Sequence, residues 1–410
     1  MITITINIKV MLYHILKQIW AQRKRNIWIF AELLVGFVLV WYIVDYAFVV
    51  IHNLSLKQGY NVENTYRINH KDISEEEKEE FRIFYDKIRL FPGVEKAFLT
   101  RRFSGTTPFA NSSSSTRIGR DSTESAESFA VQRKPVTSNN YFEIFKVHSI
   151  LHPSSFGKLD VANPKSIVLT ADVARALLGE ENAIGKSVFI DGKEEYIVSD
   201  IVNRQKRYTY EKHRPAIFYN AKESDVLEPE IAIRVGNNFS LEHFKKEITS
   251  SIVTYKEVGE KMDIAMGVSN DIRIRFGLMI FFLLNIALGV IGTLWFRIAS
   301  RRNEIGVRMA MGSDRHTLRW QLISEALALL TLVLLPAICI NFAVVQADLL
   351  NAIGDYYSDS NEYIIDNTWL RFLLTNLITY VFLAVIVAFS AWIPARQASK
   401  VHPVEALRDE

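Results

Sequence analysis

Four long apolar runs interrupt a chain that otherwise alternates between short hydrophobic and short polar stretches. They are Ile27–Val50, Phe276–Phe296, Ala326–Ala347 and Phe372–Ala395. Each meets the requirement for crossing a bilayer as a helix, roughly 20 apolar residues at about 1.5 Å of rise per residue. The last three contain no Asp, Glu, Lys or Arg, which a buried soluble helix of that length rarely achieves. The first contains Glu32 and Asp45. Both lie nearer its ends than its centre, so placement at the membrane interface is expected, with contact to a neighbouring helix as the alternative. Pro336 is placed to kink the third run, and Asn285 to bond across helices. A cleaved signal peptide does not fit the first run, which is too long and lacks a small-x-small exit.

Between the first two runs the periodicity is that of a folded domain. Asn64–Asn69 reads as a strand and Ser74–Leu90 as a helix, with Ser74 and Glu77 forming a capping box. Phe91-Pro92-Gly93 stops that helix, and Val94–Thr100 follows as a strand. Towards the far end, Glu230–Val235 is a strand and Ser240–Ser251 a helix, giving β-α-β character at both ends around a long insertion. Within the insertion, Ser104–Ser128 is rich in Ser and Thr and is expected to be a mobile loop or an exposed hairpin. Tyr141–Val147 reads as a helix, Ser166–Leu169 as a strand and Ala171–Leu178 as a short helix. Ser187–Ile190 and Glu195–Ile201 form a hairpin that turns at Asp191-Gly192.

The mean hydropathy of +0.08 suits neither an ordinary soluble protein nor an all-membrane bundle, but fits a mixture of spans and a soluble domain. The formal net charge is only +3, which gives no reason to expect nucleic acid as a partner. The distribution of charge is more informative than its sum. Lys9, Lys17, Arg23, Lys24 and Arg25 precede the first run without an acid among them. Arg297, Arg301, Arg302, Arg308, Arg315 and Arg319 lie between the second and third, and Arg396, Lys400 and Arg408 follow the fourth. The loop after the third run has no Lys or Arg, but carries Asp348, Asp355, Asp359, Glu362 and Asp366. By the positive-inside rule both termini are cytoplasmic and residues 51–272 are extracytoplasmic.

The layout is therefore an α+β membrane protein with four transmembrane helices and a large extracytoplasmic α/β domain between the first and second. An amphipathic cytoplasmic segment, 1–26, is followed by a span, 27–50, and the outer domain, 51–272. A second span, 276–296, leads through a cytoplasmic helix-turn-helix, 297–325, to the third, 326–347. A short outer loop, 348–368, the fourth span, 372–395, and a cytoplasmic tail, 396–410, complete it; either Met1 or Met11 serves as the start.

Candidate chemistry is sparse. The one cysteine, Cys339, excludes an intrachain disulfide, and the nine histidines are scattered without metal-ligand spacing. The stretch Gly179 to Ser187 imitates a phosphate-binding loop, but it has five residues between its glycines instead of four and enters a strand rather than a helix. No catalytic, cofactor or metal residues are expected, and any ATPase activity must come from a partner subunit.

Three motifs carry a resemblance. Arg301-Arg302-Asn303-Glu304-Ile305-Gly306-Val307-Arg308-Met309-Ala310-Met311-Gly312 follows the second run. Pro394-Ala395-Arg396-Gln397-Ala398 leads into a tail containing Pro403, Glu405, Ala406, Leu407 and Arg408. In the outer domain, Val136–Phe142 and Ile184–Gly192 form the third. Together they resemble the MacB/FtsX-like family of ABC transporter permeases, the mechanotransmission type, including its MacB-like periplasmic core. One departure is that His152-Pro153 stands where the family usually has a Gly-Arg turn.

The resemblance implies a subunit of the bacterial inner membrane that couples ATP hydrolysis by a cytoplasmic ABC ATPase to movement of its outer domain. It implies ATP-Mg held by that partner and not by this chain. A second permease copy or paralogue completes a dimer, with a periplasmic adaptor, outer-membrane channel or hydrolase as further partners. It assigns ATPase coupling to Arg301, Glu304, Gly306, Arg308, Gly312 and Ser313, and a cytoplasmic tail motif to Pro394, Arg396, Pro403, Glu405 and Arg408. Physically, Gly312 suits a left-handed helix end and Ser313 the cap of the next helix, making a compact knob. The alternative for this segment is membrane anchoring plus a solvated helix. Efflux of peptides or antibiotics, lipoprotein handling and activation of cell-wall hydrolases all fit the family. A membrane-anchored sensor and a polysaccharide chain-length regulator are the competing classes; the short cytoplasmic segments disfavour the first, and the third and fourth runs the second.

Overall fold

The computed structural model describes residues 17, 23–102, 107–109, 114–122, 128–179, 183–207, 209–210, 212–223, 226–265, 267–300, 315–347, 349 and 368–398. In chain order, α1 (Arg23–Ser55) leads to β1 (Thr65–Asn69), α2 (Lys78–Arg89), β2 (Val94–Arg101), β3 (Ser114–Gly119), β4 (Ser128–Val136) and α3 (Asn140–Ile144). Then come β5 (Ser166–Thr170), α4 (Ala171–Leu178), β6 (Ser187–Ile190), β7 (Glu194–Val202), β8 (Gln205–Lys206), β9 (His213–Arg214), β10 (Ala216–Asn220) and β11 (Pro229–Val235). The chain continues through α5 (Leu241–Glu247), β12 (Ile252–Thr254), α6 (Tyr255–Ala265), α7 (Val268–Ser300), α8 (Arg315–Gln346) and α9 (Thr368–Ala398). It divides into two compact units, one of residues 1–51 with 270–410 and the other of residues 52–269.

The unit of residues 52–269, the outer unit of the expected topology, is built on two larger sheets and a short β8–β9 ribbon. One is an antiparallel sheet in the order β12-β1-β11-β2; the other is a closed barrel in the order β10-β4-β3-β6-β7-β5. Side-chain alternation sorts the strands between separate cores. In β2, Ala97 and Leu99 face the cluster under α2 and α5, while Phe98 faces the opposite way towards Tyr141, Phe142 and Phe218. In β5, Ile167 and Leu169 point with Ile118, Val188 and Ile201 at the α4 side, whereas Val168 joins Phe218 and Val202.

Several expected features change in this context. Of the two readings of Ser104–Ser128 the hairpin holds over its second half: Ser114–Gly119 is β3, antiparallel to β4 and hydrogen-bonded on its other side to β6. It is not an exposed hairpin, because Ile118 is fully buried in the barrel. The helix expected over Tyr141–Val147 stops at Ile144, and Lys146 turns to φ 47°. The helix expected to reach Ser251 ends at Glu247, with the Ser240 hydroxyl accepting from His243 N–H at its start. At α2, Glu77 accepts from the Ser74 N–H at 2.9 Å, but the helix itself begins only at Lys78. That bond and the Lys71 ammonium, the larger influence, hold the Glu77 carboxyl down at about 2.

The hairpin turn at Asp191-Gly192 has φ 51° and 66°, the left-handed pair of a tight turn, which Lys193 N–H closes on Ile190 O at 3.1 Å. The Asp191 carboxylate accepts from Thr116 Oγ1 at 2.6 Å and Arg117 N–H at 2.9 Å, tying the turn to β3. Gly179 ends α4 in the left-handed region and Gly185 donates to Val198 O, so Lys186-Ser187 enters β6 as a strand start. This is the reverse of a phosphate-binding geometry. Where His152-Pro153 departs from the family pattern, Ser155 N–H closes a turn on His152 O at 2.7 Å.

The second unit contains four helices long and apolar enough to cross a membrane: Ile27–Ser55, Asn270–Thr293, Arg319–Gln346 and Trp369–Gln397. Their shared core joins Leu33, Phe37 and Trp41 to Val290, Leu330, Val333, Leu383 and Val387. Helix α8 continues through Pro336, which forfeits one backbone hydrogen bond there.

Candidate coupling elements

The proposed coupling residues Arg301, Glu304, Gly306, Arg308, Gly312 and Ser313 lie outside the described residues, as do Pro403, Glu405 and Arg408. Helix α7 reaches Ser300 and α8 starts at Arg315, so the motif is bracketed by two span-containing helices. Of the tail motif, Pro394 lies inside α9 and Arg396 stacks its guanidinium 5.3 Å from the Trp392 ring centroid. The motif residues are therefore not seen together as one site.

What sequence reading missed is a set of polar ties within the helical unit. Asp45 is 2% exposed and faces a neighbouring helix, the alternative its position left open. Its Oδ1 accepts from Arg371 Nε at 2.8 Å, and its Oδ2 from Arg371 Nη2. One turn away, Trp41 Nε1 donates to Thr375 Oγ1 at 3.1 Å. The i,i+4 spacing on both helices stacks these contacts on one face. Because 41 pairs with 375 and 45 with 371, α1 and α9 run antiparallel, and the start of α1 lies at the same end as the finish of α9. Glu32 also faces a helix: its carboxylate packs where a side chain on Gly289 of α7 would stand. Asn285 is exposed and donates to Phe281 O of its own helix; the buried amide tie across helices is Asn341 to Asn376 at 2.9 Å. Arg275 pairs with Asp271 at 2.9 Å and lies 3.9 Å from the Tyr46 ring centroid. The only signal for these in the sequence was a set of isolated polar residues at apolar-run positions and edges. Their partners are set by packing.

In the outer unit, the last turn of α1 is gripped by the short β8–β9 ribbon. Lys206, 2% exposed, places its ammonium 2.7 Å from Asn53 O, 3.3 Å from Leu56 O and 2.6 Å from Thr209 O. A cation there satisfies carbonyls that a helix end leaves orphaned and complements the negative end of its dipole. Lys206 N–H donates to Gln58 O at 3.1 Å, and His213 Nε2 contacts Lys57 O at 2.8 Å. Burial, with the charges of Arg204 and Lys206 adding, pushes the His213 imidazole below its ordinary value, while its bond to Lys57 O and Asp172 oppose this. Beside the clamp is a cavity of about 500 Å³.

A bundle of apolar helices with a large α/β domain inserted after the first defines a multi-pass membrane protein. Two family profiles then meet on this chain: the MacB-like periplasmic core domain over residues 51–251, and the FtsX-like permease C-terminal module over 276–403. The chain belongs to the MacB/FtsX-like family of ABC transporter permeases.

Among curated relatives, it is 34% identical over 122 residues to the macrolide export ATP-binding/permease protein MacB of Psychrobacter cryohalolentis, covering 29% of this chain and 16% of that one. It is 29% identical over 121 residues to a probable export ATP-binding/permease protein of Pseudomonas fluorescens, covering 29% and 17%. The chain thus spans about a sixth of the length of these relatives. Among solved structures, the periplasmic region of MacB from Actinobacillus actinomycetemcomitans matches at TM-score 0.32 and 14% identity, covering 52% of this chain and 98% of that one. The extracellular domain of the transporter YknZ matches at 0.28 and 12%, covering 50% and 95%.

Proposed function

We propose that this chain is a permease subunit that receives ATP-driven movement from a separate cytoplasmic ABC ATPase and delivers it to its outer domain. The observation that carries this reading is the order of the two family modules on one chain, periplasmic core first and permease module second. Energy enters at residues 300–319, with the tail assisting. Rigid helices shifting between discrete arrangements carry it outward. ATP-Mg belongs to the partner, two permease subunits face an ATPase dimer, and both termini are cytoplasmic in a bacterial inner membrane. The relatives' printed role in macrolide export supports efflux of peptides or antibiotics; lipoprotein handling and hydrolase activation are the sister outcomes.

The test is co-purification with the ATPase subunit, together with its stimulated hydrolysis rate. Gly312→Val puts a β-branched side chain where left-handed backbone is expected, at about 1–3 kcal/mol of strain. Glu304→Lys reverses the charge on the docking face. Both variants should insert and keep a folded outer unit, yet lose association or stimulation. Parental binding and stimulation by both would reduce the knob to a membrane anchor.

A further inference from the structure

The cavity beside the α1 exit has a composition unlike its surroundings. Among the described residues it is lined by Lys57, Lys146, Arg204, His148 and His213 with Gln58, Gly59, Tyr60, Asn61 and Asn203, and by no carboxylate. Among the described residues, none of Lys57, Lys146 or Arg204 makes an ion pair. The buried Nδ1 of His148 makes no hydrogen bond.

The cavity is also built, not incidental. Lys146 holds φ 47°, a conformation that costs a non-glycine residue energy and places it at the rim. Gly59 holds φ 77°, and a Cβ there would sit 1.8 Å from Arg204 O, so the 57–61 segment and the Arg204 backbone approach as only glycine permits. Asn61 N–H fixes the far end of that segment on Phe145 O at 2.7 Å.

Its depth follows from the chain. The apolar stretch of α1 ends at Ser55 after 29 residues. At helical rise that is about 43 Å, the thickness of a bilayer including its headgroups. Lys57 to Asn61 therefore emerge at the plane of lipid phosphates. Cations there stand at the depth of lipid phosphate groups.

We propose that this cavity binds a phosphate oxyanion, presented by the headgroup of an anionic phospholipid or taken up as free phosphate, with Arg204, Lys146 and Lys57 as its charged ligands. Arg204 supplies the forked donor geometry suited to phosphate, and the two lysines act as point charges around it. The inference stands independently of any ATPase partner.

The full-length chain in nanodiscs tests it. Retention of phosphatidylglycerol against phosphatidylcholine would be measured by native mass spectrometry after delipidation, and inorganic phosphate would be titrated onto the detergent-purified chain by calorimetry. Arg204→Glu removes the fork, and Lys146→Asn removes a cation while tolerating the left-handed backbone. Lys245→Glu with Lys246→Glu controls for charge elsewhere on the outer unit. About tenfold weaker phosphatidylglycerol retention in both cavity variants, with the control pair at parental level, supports a lipid headgroup. Phosphate binding lost in the same variants, without a lipid preference, supports the free anion. Parental retention and titration in the cavity variants, or an equal loss in the control pair, overturns the site.

Discussion

Arg371 grips Asp45 through two parallel contacts, across 326 residues of sequence and inside an apolar helix bundle. The carboxylate is 3% exposed and the guanidinium 13%, so neither is supported by water. Removing one partner strands the other charge. Arg371→Leu should destabilise the helical unit by about 3–5 kcal/mol. The double change Asp45→Leu with Arg371→Leu should recover most of that loss. Thermal unfolding in detergent of the parent, Asp45→Leu, Arg371→Leu and the double, treated as a double-mutant cycle, checks it; an additive result would show that the pair does not interact.

Lys206 offers a second test, at the end of α1. Lys206→Met keeps the aliphatic stem but withdraws the cation from the carbonyls of Asn53, Leu56 and Thr209. The expected cost is roughly 2–3 kcal/mol, mostly local. Hydrogen exchange should quicken over residues 52–56 and over β8–β9, while α4 and the barrel strands around it stay protected.

Lys134 makes the stability of the outer unit depend on pH. Burial, with the Arg207 charge adding, pushes its ammonium down to about 7, and it is held by Gln205 Oε1 at 3.0 Å. Between pH 7 and about 10.5 the unfolded chain binds this proton and the folded one does not. Stability therefore rises with pH across that window, by on the order of 5 kcal/mol. Lys134→Met should flatten the rise. Protection of the β4 and β10 amides, followed against pH, would show it, and an unchanged slope in the variant would exclude Lys134 as the source.

The proposed orientation is open to cysteine labelling. With exposed Cys339 replaced by alanine, a cysteine at Lys193, on the β6–β7 turn, should react with an impermeant reagent in intact cells. One at Ser313 should not. The opposite pattern would invert the topology.

The four membrane helices, the β-α-β ends of the outer domain and the Asp191-Gly192 turn were legible along the chain, because each rests on local chemistry. Apolar length makes a span, period-two burial makes a strand, and left-handed backbone selects a turn. The family motifs were equally legible, since they are contiguous. By itself, then, the sequence determined the four apolar helices, the strands and helices at the two ends of the inserted domain, and the family. Tertiary structure alone decided that the polar stretch at Ser114–Gly119 closes a barrel, because a strand's pairing energy comes from neighbours distant in sequence. It alone decided that Asp45 belongs to Arg371, Trp41 to Thr375 and Asn341 to Asn376. Nothing local distinguishes a polar residue bound for the interface from one bound for a partner. In an apolar bundle the cost of an unpaired polar group makes that choice, and it is evaluated only once the helices pack.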